Sequence, residues 1–284
     1  MKVKASYLPY LLILPAFAYL MFFVGYPLIQ ALYLAFTENG AFSLATVNRT
    51  ISDPRFWDAL KYTIGLAAVI VPTQVGLALV LALVMNRAFK GKDLALYALI
   101  IPLTISDVAA GLIWYAMLSP SGFLNKLFLN IGLINNPVYF FGYQFRHMEF
   151  LAIVLAELWR ATAIVFVIIL AGLQMISPEY LEAAEVFGAD YWTKLRKIVI
   201  PLLKPSIQSA LIIRTLFAMQ VFGIVWILAG RDIPILAGEG FYQLTEIKDY
   251  GVASIYALTI AALSIVLGAM YIKFMKAEYL EVKE

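Results

Sequence analysis

Residues 178–189 read Pro-Glu-Tyr-Leu-Glu-Ala-Ala-Glu-Val-Phe-Gly-Ala, and a basic segment follows them as far as Ile200 and Pro201. This polar stretch lies between two long apolar runs. Charged side chains are costly in the hydrocarbon interior of a bilayer. The stretch is therefore predicted to leave the membrane and to contact something outside it.

Local signals predict that this stretch forms a helix, a tight turn and a second helix. Ser177 is a good N-cap, and Pro178 suits the first helical position. Gly188 is predicted to end the first helix and Asp190 to cap the second, which is expected to stop at Pro201. The result is a short, stiff segment between two membrane-spanning runs.

The first of these helices has two different faces. Residues spaced by three and four positions share a face of a helix. One face is small and aromatic, with Tyr180, Ala183, Ala184 and Phe187, while the glutamates 179, 182 and 185 spread across the other. A helix that lies on lipid headgroups would instead combine large apolar residues with Lys or Arg, so that alternative is disfavoured.

The composition indicates an integral membrane protein. The chain is 63% hydrophobic and 14% charged, whereas soluble domains carry about 25% charged residues. A net charge of +3 spread over short loops argues against nucleic acid as a partner. With no cysteine, the chain offers no disulfide, thiolate metal site or cysteine nucleophile.

Six apolar runs predict an all-α protein of six transmembrane helices in one domain, residues 1–284. The first run is expected to be an uncleaved anchor helix, because it continues well past Ala16-Phe17-Ala18, a triplet that resembles a signal-peptidase site. The predicted spans are residues 7–36, 57–85, 94–118, 149–176, 203–229 and 251–274, with the polar loop at 177–201 between the fourth and fifth.

The distribution of basic residues predicts the orientation. With the N-terminus inside, more of the 21 Lys and Arg residues fall in the short cytoplasmic segments than in the longer outer loops. The positive-inside rule then places both termini and residues 177–201 in the cytoplasm.

The same stretch resembles the EAA loop of permease subunits in binding-protein-dependent ABC importers. The resemblance rests on Glu182-Ala183-Ala184, Gly188, Ile198 and Ile200-Pro201. Residues 171–174, Leu124-Asn125 and Val221-Phe222 resemble the sugar-permease branch of that family, whose fold is maltose-transporter-like. The chain departs from the branch at Phe187, at Ile200 and in the turn at residues 229–234.

The resemblance implies a cell-membrane protein that works with separate partners. These are a second permease subunit, two ATPase subunits that bind ATP and magnesium, and an external solute-binding protein. The chain itself is then not an enzyme and holds no cofactor. In that family the loop forms a coupling helix that docks on the ATPase, so residues 177–201 are called the coupling loop. The residues expected to contact the ATPase are Tyr180, Glu182, Ala183, Ala184, Phe187, Gly188 and Ala189.

A few polar residues inside the predicted spans are candidates for the substrate path. Glu157 and Arg160 lie one turn apart on the fourth span, and Arg214 is near the middle of the fifth. Trp159 is a candidate for stacking on a sugar ring, and Gln220 is the fifth candidate. Charges in membrane spans commonly pair with one another, so contact between helices is an open alternative for each. Asp107 and Gln74 are weaker candidates that can serve in packing alone.

Several functions lack the residues they require. No phosphate-binding loop of the Gly-x-x-x-x-Gly-Lys type is present, and the single histidine, His147, is more typical of a surface residue than of a metal ligand. No catalytic or metal-binding set can be assembled.

Two alternatives to a sugar permease stay open. One is an importer permease for an anionic solute such as a phosphate ester, with Arg160 and Arg214 on the substrate oxygens. The other is an autonomous secondary transporter, which is expected to contain an inverted repeat.

Overall fold

The computed structural model describes residues 8–274 of the 284-residue chain. Both chain termini lie outside this range, as do the first residue of the predicted first span and the basic residues Lys2 and Lys4. The cytoplasmic placement of the two termini therefore stays a prediction.

The described part of the chain is helical almost throughout, which confirms the all-α prediction. The helices of the first half are α1 (Leu8–Leu20), α2 (Tyr26–Phe36), α3 (Ala45–Ser52), α4 (Pro54–Met85), α5 (Lys92–Ile100), α6 (Asp107–Leu118) and α7 (Phe123–Asn130). Those of the second half are α8 (Arg146–Gln174), α9 (Pro178–Val186), α10 (Tyr191–Lys194), α11 (Ile200–Met219), α12 (Gly223–Leu228), α13 (Leu236–Tyr242) and α14 (Tyr250–Phe274).

A small hairpin provides the β-structure found within residues 8–274. Strand β1 (Thr37–Glu38) pairs antiparallel with β2 (Ala41–Phe42). Asn39 and Gly40 connect them with φ of 53° and 82°, the left-handed pair that a two-residue hairpin turn requires.

Five helical stretches in the described range are long and apolar enough to cross a membrane. They are Pro9–Phe36, Pro54–Met85, Tyr143–Gln174, Tyr191–Met219 and Tyr250–Lys273. A sixth is added if Lys92–Thr104 and Asp107–Asn130, bent by 105° relative to each other, form one span. The predicted count of six agrees with the larger number.

The third predicted span, residues 94–118, is therefore not one straight helix. A 3-10 turn at Ile101–Thr104 follows α5, and Pro102 in this turn has no backbone N–H to donate. A new helix then starts, because the Ser106 side chain accepts a hydrogen bond of 3.2 Å from the amide of Ala109. Asp107, expected near the middle of a span, instead begins α6.

The fifth predicted span also differs from the expected residues 203–229. A π-helical turn, Leu195–Val199, joins α10 to α11, so the helix runs on from Tyr191 and the predicted stop at Pro201 is wrong. Pro201 is tolerated because it falls in the first turn of α11, just after that widened turn. The helix ends at Met219, and α12 follows a short break.

Residues 230–250, between the fifth and sixth predicted spans, fold back against the bundle. Ile233, Ile235 and Leu236 are buried, and the amide of Leu236 donates to Thr63 Oγ1 on α4 over 2.9 Å. The buried carboxylate of Glu239 lies 2.7 Å from Arg231 and 2.9 Å from Arg55. The hydrogen bond to Glu239 raises the pKa of Arg231.

Helices α4, α8 and α11 form the centre of the bundle. Apolar residues of α4 and α8 pack in two layers, with α12 contributing to one layer and α11 to the other. One layer includes Leu66, Ile70, Ile153 and Val225, and the other is built around Ala78, Phe166, Ile169 and Leu203. Gln74 follows Ile70 by one turn on α4 and precedes Ala78 by one turn. A polar level is thus expected between the two apolar layers.

The first span is the least enclosed part of the structure. None of its most apolar window is buried within the chain. Its second half, α2, approaches the bundle by packing on α14, where a Cβ added at Gly251 would lie 3.1 Å from the carbonyl oxygen of Leu34. The rest of its surface is free for lipid or for another subunit.

Candidate substrate path and coupling surface

A buried polar network occupies the level between the two apolar layers. Arg214 on α11 donates from Nη2 to Glu157 Oε2 on α8 over 2.5 Å and from Nε to Gln74 Oε1 on α4. Gln74 Nε2 in turn donates to the carbonyl of Glu157 over 2.8 Å. Arg214 and Glu157 are 2% and 1% exposed. The network links the three central helices at one height.

A second ion pair extends this network to α6. Arg160 Nη1 lies 2.9 Å from Asp107 Oδ1, and Arg160 Nη2 lies 3.5 Å from Glu157 Oε1. Glu157 Oε1 and Arg160 Nε are both buried, and neither has a hydrogen-bond partner among residues 8–274. Two polar atoms therefore keep hydrogen-bonding capacity at this point.

The two ion pairs border a cavity of about 340 Å³. Its lining is Leu103, Asp107, Glu157, Arg160, Ala161, Ile164, Arg214, Phe217, Gln220 and Val221. Two guanidinium groups and two carboxylates contribute charges that cancel. The cavity thus offers hydrogen-bonding groups and one aromatic ring without a net charge from these four side chains.

Four of the five predicted path residues meet at this cavity. Glu157, Arg160 and Arg214 form its charged wall, and Gln220 lies at the break that follows α11. Their mutual contacts agree with the open alternative of helix-to-helix pairing, while their position on the cavity also allows contact with a solute.

The structure does not bring Trp159 to this cavity. Trp159 packs edge-to-face against Trp114 with ring centroids 6.3 Å apart and lines a separate, mainly apolar cavity of about 180 Å³. Successive residues of a helix are about 100° apart around its axis. Trp159 and Arg160 therefore point to different surroundings.

Three residues given little or no weight from the sequence contribute to the site. Asp107 and Gln74 hold the two guanidinium groups, and Gly223 allows α12 to approach the start of α6. A Cβ at Gly223 would lie 2.7 Å from the Cβ of Asp107. The polarity of Asp107 and Gln74 was the available signal, whereas the partner of Gly223 lies too far along the chain to be inferred.

The predicted coupling helix has the geometry that its sequence indicates. Ser177 Oγ accepts from the amide of Glu179 at 3.4 Å, and α9 begins at Pro178. Gly188 has φ of 79°, while the amides of Gly188 and Ala189 donate back to the carbonyls of Glu185 and Ala184, both over 2.9 Å. This is a Schellman C-cap.

The next helix is capped as predicted. Asp190 accepts from the amide of Thr193 over 3.2 Å. Hydrogen bonds from the Thr193 side chain and amide lower the pKa of the Asp190 carboxyl. The carboxylate is therefore charged at neutral pH and complements the positive end of the following helix.

The outer surface of α9 and its turn is exposed and partly apolar. Phe187 is 89% exposed and Val186 is 85% exposed. Tyr180, Glu182 and Ala183 are also exposed, whereas Ala184 and Ala189 are half-buried. Phe187 therefore does not pack beneath the loop.

The loop is attached to the bundle on its inner side. Leu181 packs against the apolar layer around Phe166 and Leu203. Gly172, near the end of α8, allows close approach of α11, because a Cβ there would lie 2.2 Å from Ser206 Oγ. Lys194 on α10 forms an ion pair with Glu185 on α9. The two short helices thus join each other and both flanking spans.

The predicted outer-loop motif Leu124-Asn125 has a structural role. The buried Asn125 amide accepts from the amide of Val138 over 2.8 Å and donates to the carbonyls of Val138 and Ser119, both over 3.0 Å. It holds the segment after α7 against the end of α6. Within residues 8–274, no group of three His, Asp or Glu side chains is placed to bind a metal ion.

Comparison with known proteins assigns the family. A family model described as "Binding-protein-dependent transport system inner membrane component" matches residues 74–274. The trehalose transport system permease protein SugA of Mycobacterium tuberculosis is 31% identical over 95% of this chain and 89% of the relative. The sn-glycerol-3-phosphate transport system permease protein UgpA of Agrobacterium fabrum is 30% identical over 78% of each chain.

A solved structure supports the fold independently. A chain of a bacterial ABC transporter involved in the import of the acidic polysaccharide alginate superposes with a TM-score of 0.85. The match covers 98% of this chain and 96% of that chain at 21% identity. The resemblance seen in the sequence is confirmed. This multi-pass membrane protein belongs to the family of binding-protein-dependent transport system inner membrane components.

Proposed function

We propose that the chain is the permease subunit of an ATP-driven importer and forms half of the transmembrane path for a sugar. An external binding protein delivers the solute, and two separate ATPase subunits supply the energy. The observation that carries the proposal is the cavity of about 340 Å³ at the level of the buried ion pairs, between α6, α8 and α11.

The lining of this cavity suits a sugar. Hydroxyl groups both donate and accept hydrogen bonds, and Asp107, Arg160 and Gln220 offer both kinds of partner. Phe217 is 56% exposed and lines the same cavity. Its ring is available for the apolar face of a sugar, a role that Trp159, which faces a different cavity, does not fill.

The charge balance favours a neutral solute over an anionic one. Each guanidinium group already has a carboxylate partner, Arg214 with Glu157 and Arg160 with Asp107. A phosphate ester would have to displace a carboxylate from one of these pairs. The relative named for sn-glycerol 3-phosphate keeps the anionic alternative worth a direct test.

The exposed surface of α9 supports the proposed coupling to the ATPase. Glu182 is an exposed carboxylate beside the small residues Ala183 and Gly188, which allow a partner to approach the backbone closely. A carboxylate can form a charge-assisted contact with an arginine of that partner. Phe187 adds an apolar contact at the end of the same surface.

Transport in proteoliposomes tests the proposed path. The assembled transporter is supplied with its external binding protein and with labelled trehalose, maltose or sn-glycerol 3-phosphate in separate experiments. We expect uptake of a neutral sugar and a clear reduction by Phe217→Ala.

Trp159→Ala is the matched control, because this aromatic residue lies outside the cavity. It is expected to reduce uptake less than Phe217→Ala does. The proposed path would be rejected if Trp159→Ala abolished uptake while Phe217→Ala left it unchanged. Uptake of the phosphate ester alone would establish the anionic alternative.

A further inference from the structure

A second cavity, of about 480 Å³, lies between the coupling loop and the end of α4. Its inner wall is apolar and includes Leu83 on α4, Leu173 on α8 and Leu195 in the turn before α11. Its polar side includes Arg87 and Lys194. The cavity therefore combines an apolar interior with two cationic groups, the pattern of a site for an anionic amphiphile.

Arg87 has charge available for a ligand. It is exposed, and its guanidinium carbon lies 5.3 Å from the centre of the Tyr191 ring. Within the described range, no carboxylate lies within ion-pair distance of Arg87. Lys194 contacts Glu185, but that carboxylate is 63% exposed and is itself accessible to water. The cavity thus carries an excess of positive charge.

The cavity is lined by the ends of two candidate membrane spans, which are expected at the membrane surface. The apolar helix α4 ends at Met85, and α8 ends at Gln174. Leu83 and Leu173 are in the last turns of these helices, while Arg87 follows the end of α4. A lipid could therefore keep its acyl chain at the apolar wall and its headgroup at Arg87.

We propose that this cavity binds an anionic phospholipid of the cytoplasmic leaflet. Its phosphate contacts Arg87 and Lys194, and an acyl chain lies against Leu83, Leu173 and Leu195. Basic pockets between transmembrane helices on the cytoplasmic side bind anionic lipid headgroups in other membrane proteins. The choice of leaflet rests on the orientation that the proposed function requires.

The lipid would connect the coupling loop to the transmembrane bundle. Arg87 belongs to the segment after α4, whereas Tyr191 and Lys194 belong to α10 in the loop. Any movement of α9 and α10 relative to α4 changes the shape of this cavity. Occupation by an anionic lipid is therefore expected to affect how movement of the loop is passed to the bundle.

Native mass spectrometry of the assembled transporter tests the site. The complex is released from nanodiscs that contain phosphatidylglycerol and phosphatidylcholine, and retained lipids are counted over a titration of phosphatidylglycerol. Arg87→Gln is expected to weaken retention of one phosphatidylglycerol about fivefold, the equivalent of about 1 kcal/mol for one basic residue near an anionic surface.

Two further variants separate this site from general attraction of anionic lipid. Lys90→Gln makes the same charge change three residues away, outside the cavity, and is expected to leave retention unchanged. Leu83→Trp fills the apolar wall and is expected to reduce retention without changing the charge. Equal losses in Arg87→Gln and Lys90→Gln would overturn the proposal.

A soluble anion is distinguished by competition. Inorganic phosphate at millimolar concentration is expected not to displace the lipid. A lipid site would be refuted if phosphate displaced the lipid and Leu83→Trp did not reduce lipid retention. Association with the ATPase and sugar uptake are measured on the same preparations. If a preparation retains the lipid normally but neither binds the ATPase nor takes up sugar, the result counts against the proposed function. It does not count against the lipid site.

Discussion

Replacing Arg214 by methionine provides the sharpest test of the buried polar network. Methionine keeps much of the side-chain length but removes the charge that Glu157 contacts at 2.5 Å. In the native chain, Glu157 and Asp107 balance Arg160 and Arg214. In the variant, the buried Glu157 competes with Asp107 for the single remaining guanidinium group of Arg160.

The size of the effect follows from the burial of the pair. Removing one partner of a buried ion pair costs about 3–5 kcal/mol, because the other charge is left uncompensated. Loss of the hydrogen bond to Gln74 adds less, since interhelical hydrogen bonds in membranes average about 0.6 kcal/mol. The unpaired charge, rather than the lost hydrogen bond, should therefore dominate the destabilisation.

A double variant separates these two contributions. Arg214→Met combined with Glu157→Gln removes both charges and leaves Arg160 paired with Asp107 at 2.9 Å. The double variant is expected to recover about 2–4 kcal/mol of the loss in the single variant. Arg196→Met, which removes an exposed arginine, is the control and is expected to change stability by less than about 0.5 kcal/mol.

Thermal unfolding of the assembled transporter, followed by tryptophan fluorescence, ranks the variants. For domains of comparable size, 1 kcal/mol corresponds to roughly 2–4 °C in Tm, so the single variant is expected to unfold roughly 6–20 °C lower. The double variant should lie between the single variant and the native protein. A double variant no more stable than Arg214→Met would refute the argument from charge balance.

Two further predictions concern the coupling loop and its attachment. Glu182→Lys is expected to abolish co-purification of the ATPase while membrane insertion stays normal, because it reverses the exposed charge on α9. Glu246→Lys, which makes the same charge change in the segment before α14, is the control. Unchanged association of the ATPase with the Glu182→Lys variant would reject the docking surface. Gly172→Ala is expected to destabilise the transporter, since the added Cβ would lie 2.2 Å from Ser206 Oγ, and the second change Ser206→Gly should restore most of the loss in Tm. Gly268→Ala has nothing within 4 Å of its added Cβ and serves as the neutral control; failure of the Ser206→Gly rescue would show that the contact is not the cause.

The coupling loop was predictable because its determinants are local. The cap at Ser177, the left-handed residue Gly188 and the cap at Asp190 each act within a few residues of themselves. The stop at Pro201 was not predicted correctly. A π-helical turn just before this proline lets the helix continue. The sequence of that turn contains no signal from which a π-helical turn could be predicted.

The charged residues of the candidate path could be picked out from the sequence, but their arrangement could not. Glu157, Arg160 and Arg214 were identified because charges inside apolar runs require a partner or a cavity. Their partners Gln74 and Asp107 belong to other helices, and the choice between Trp159 and Phe217 as the aromatic wall depends on how each helix is rotated. The bend before Asp107 similarly brings a residue expected in mid-span to the start of a helix.

The sequence by itself determined the class of protein, the number of apolar runs and the caps at Ser177, Gly188 and Asp190, because hydrophobic length and helix capping act over short distances along the chain. Only the tertiary structure decided which charges meet, which aromatic residue faces the cavity and how α4 and α10 enclose the second cavity. Those features depend on helix rotation and packing, which join residues as far apart as Gln74 and Arg214. At residues 178–189 both kinds of information contribute. Local signals in the sequence form the helix, and the packing of Leu181 against the bundle leaves Glu182 and Phe187 facing outward.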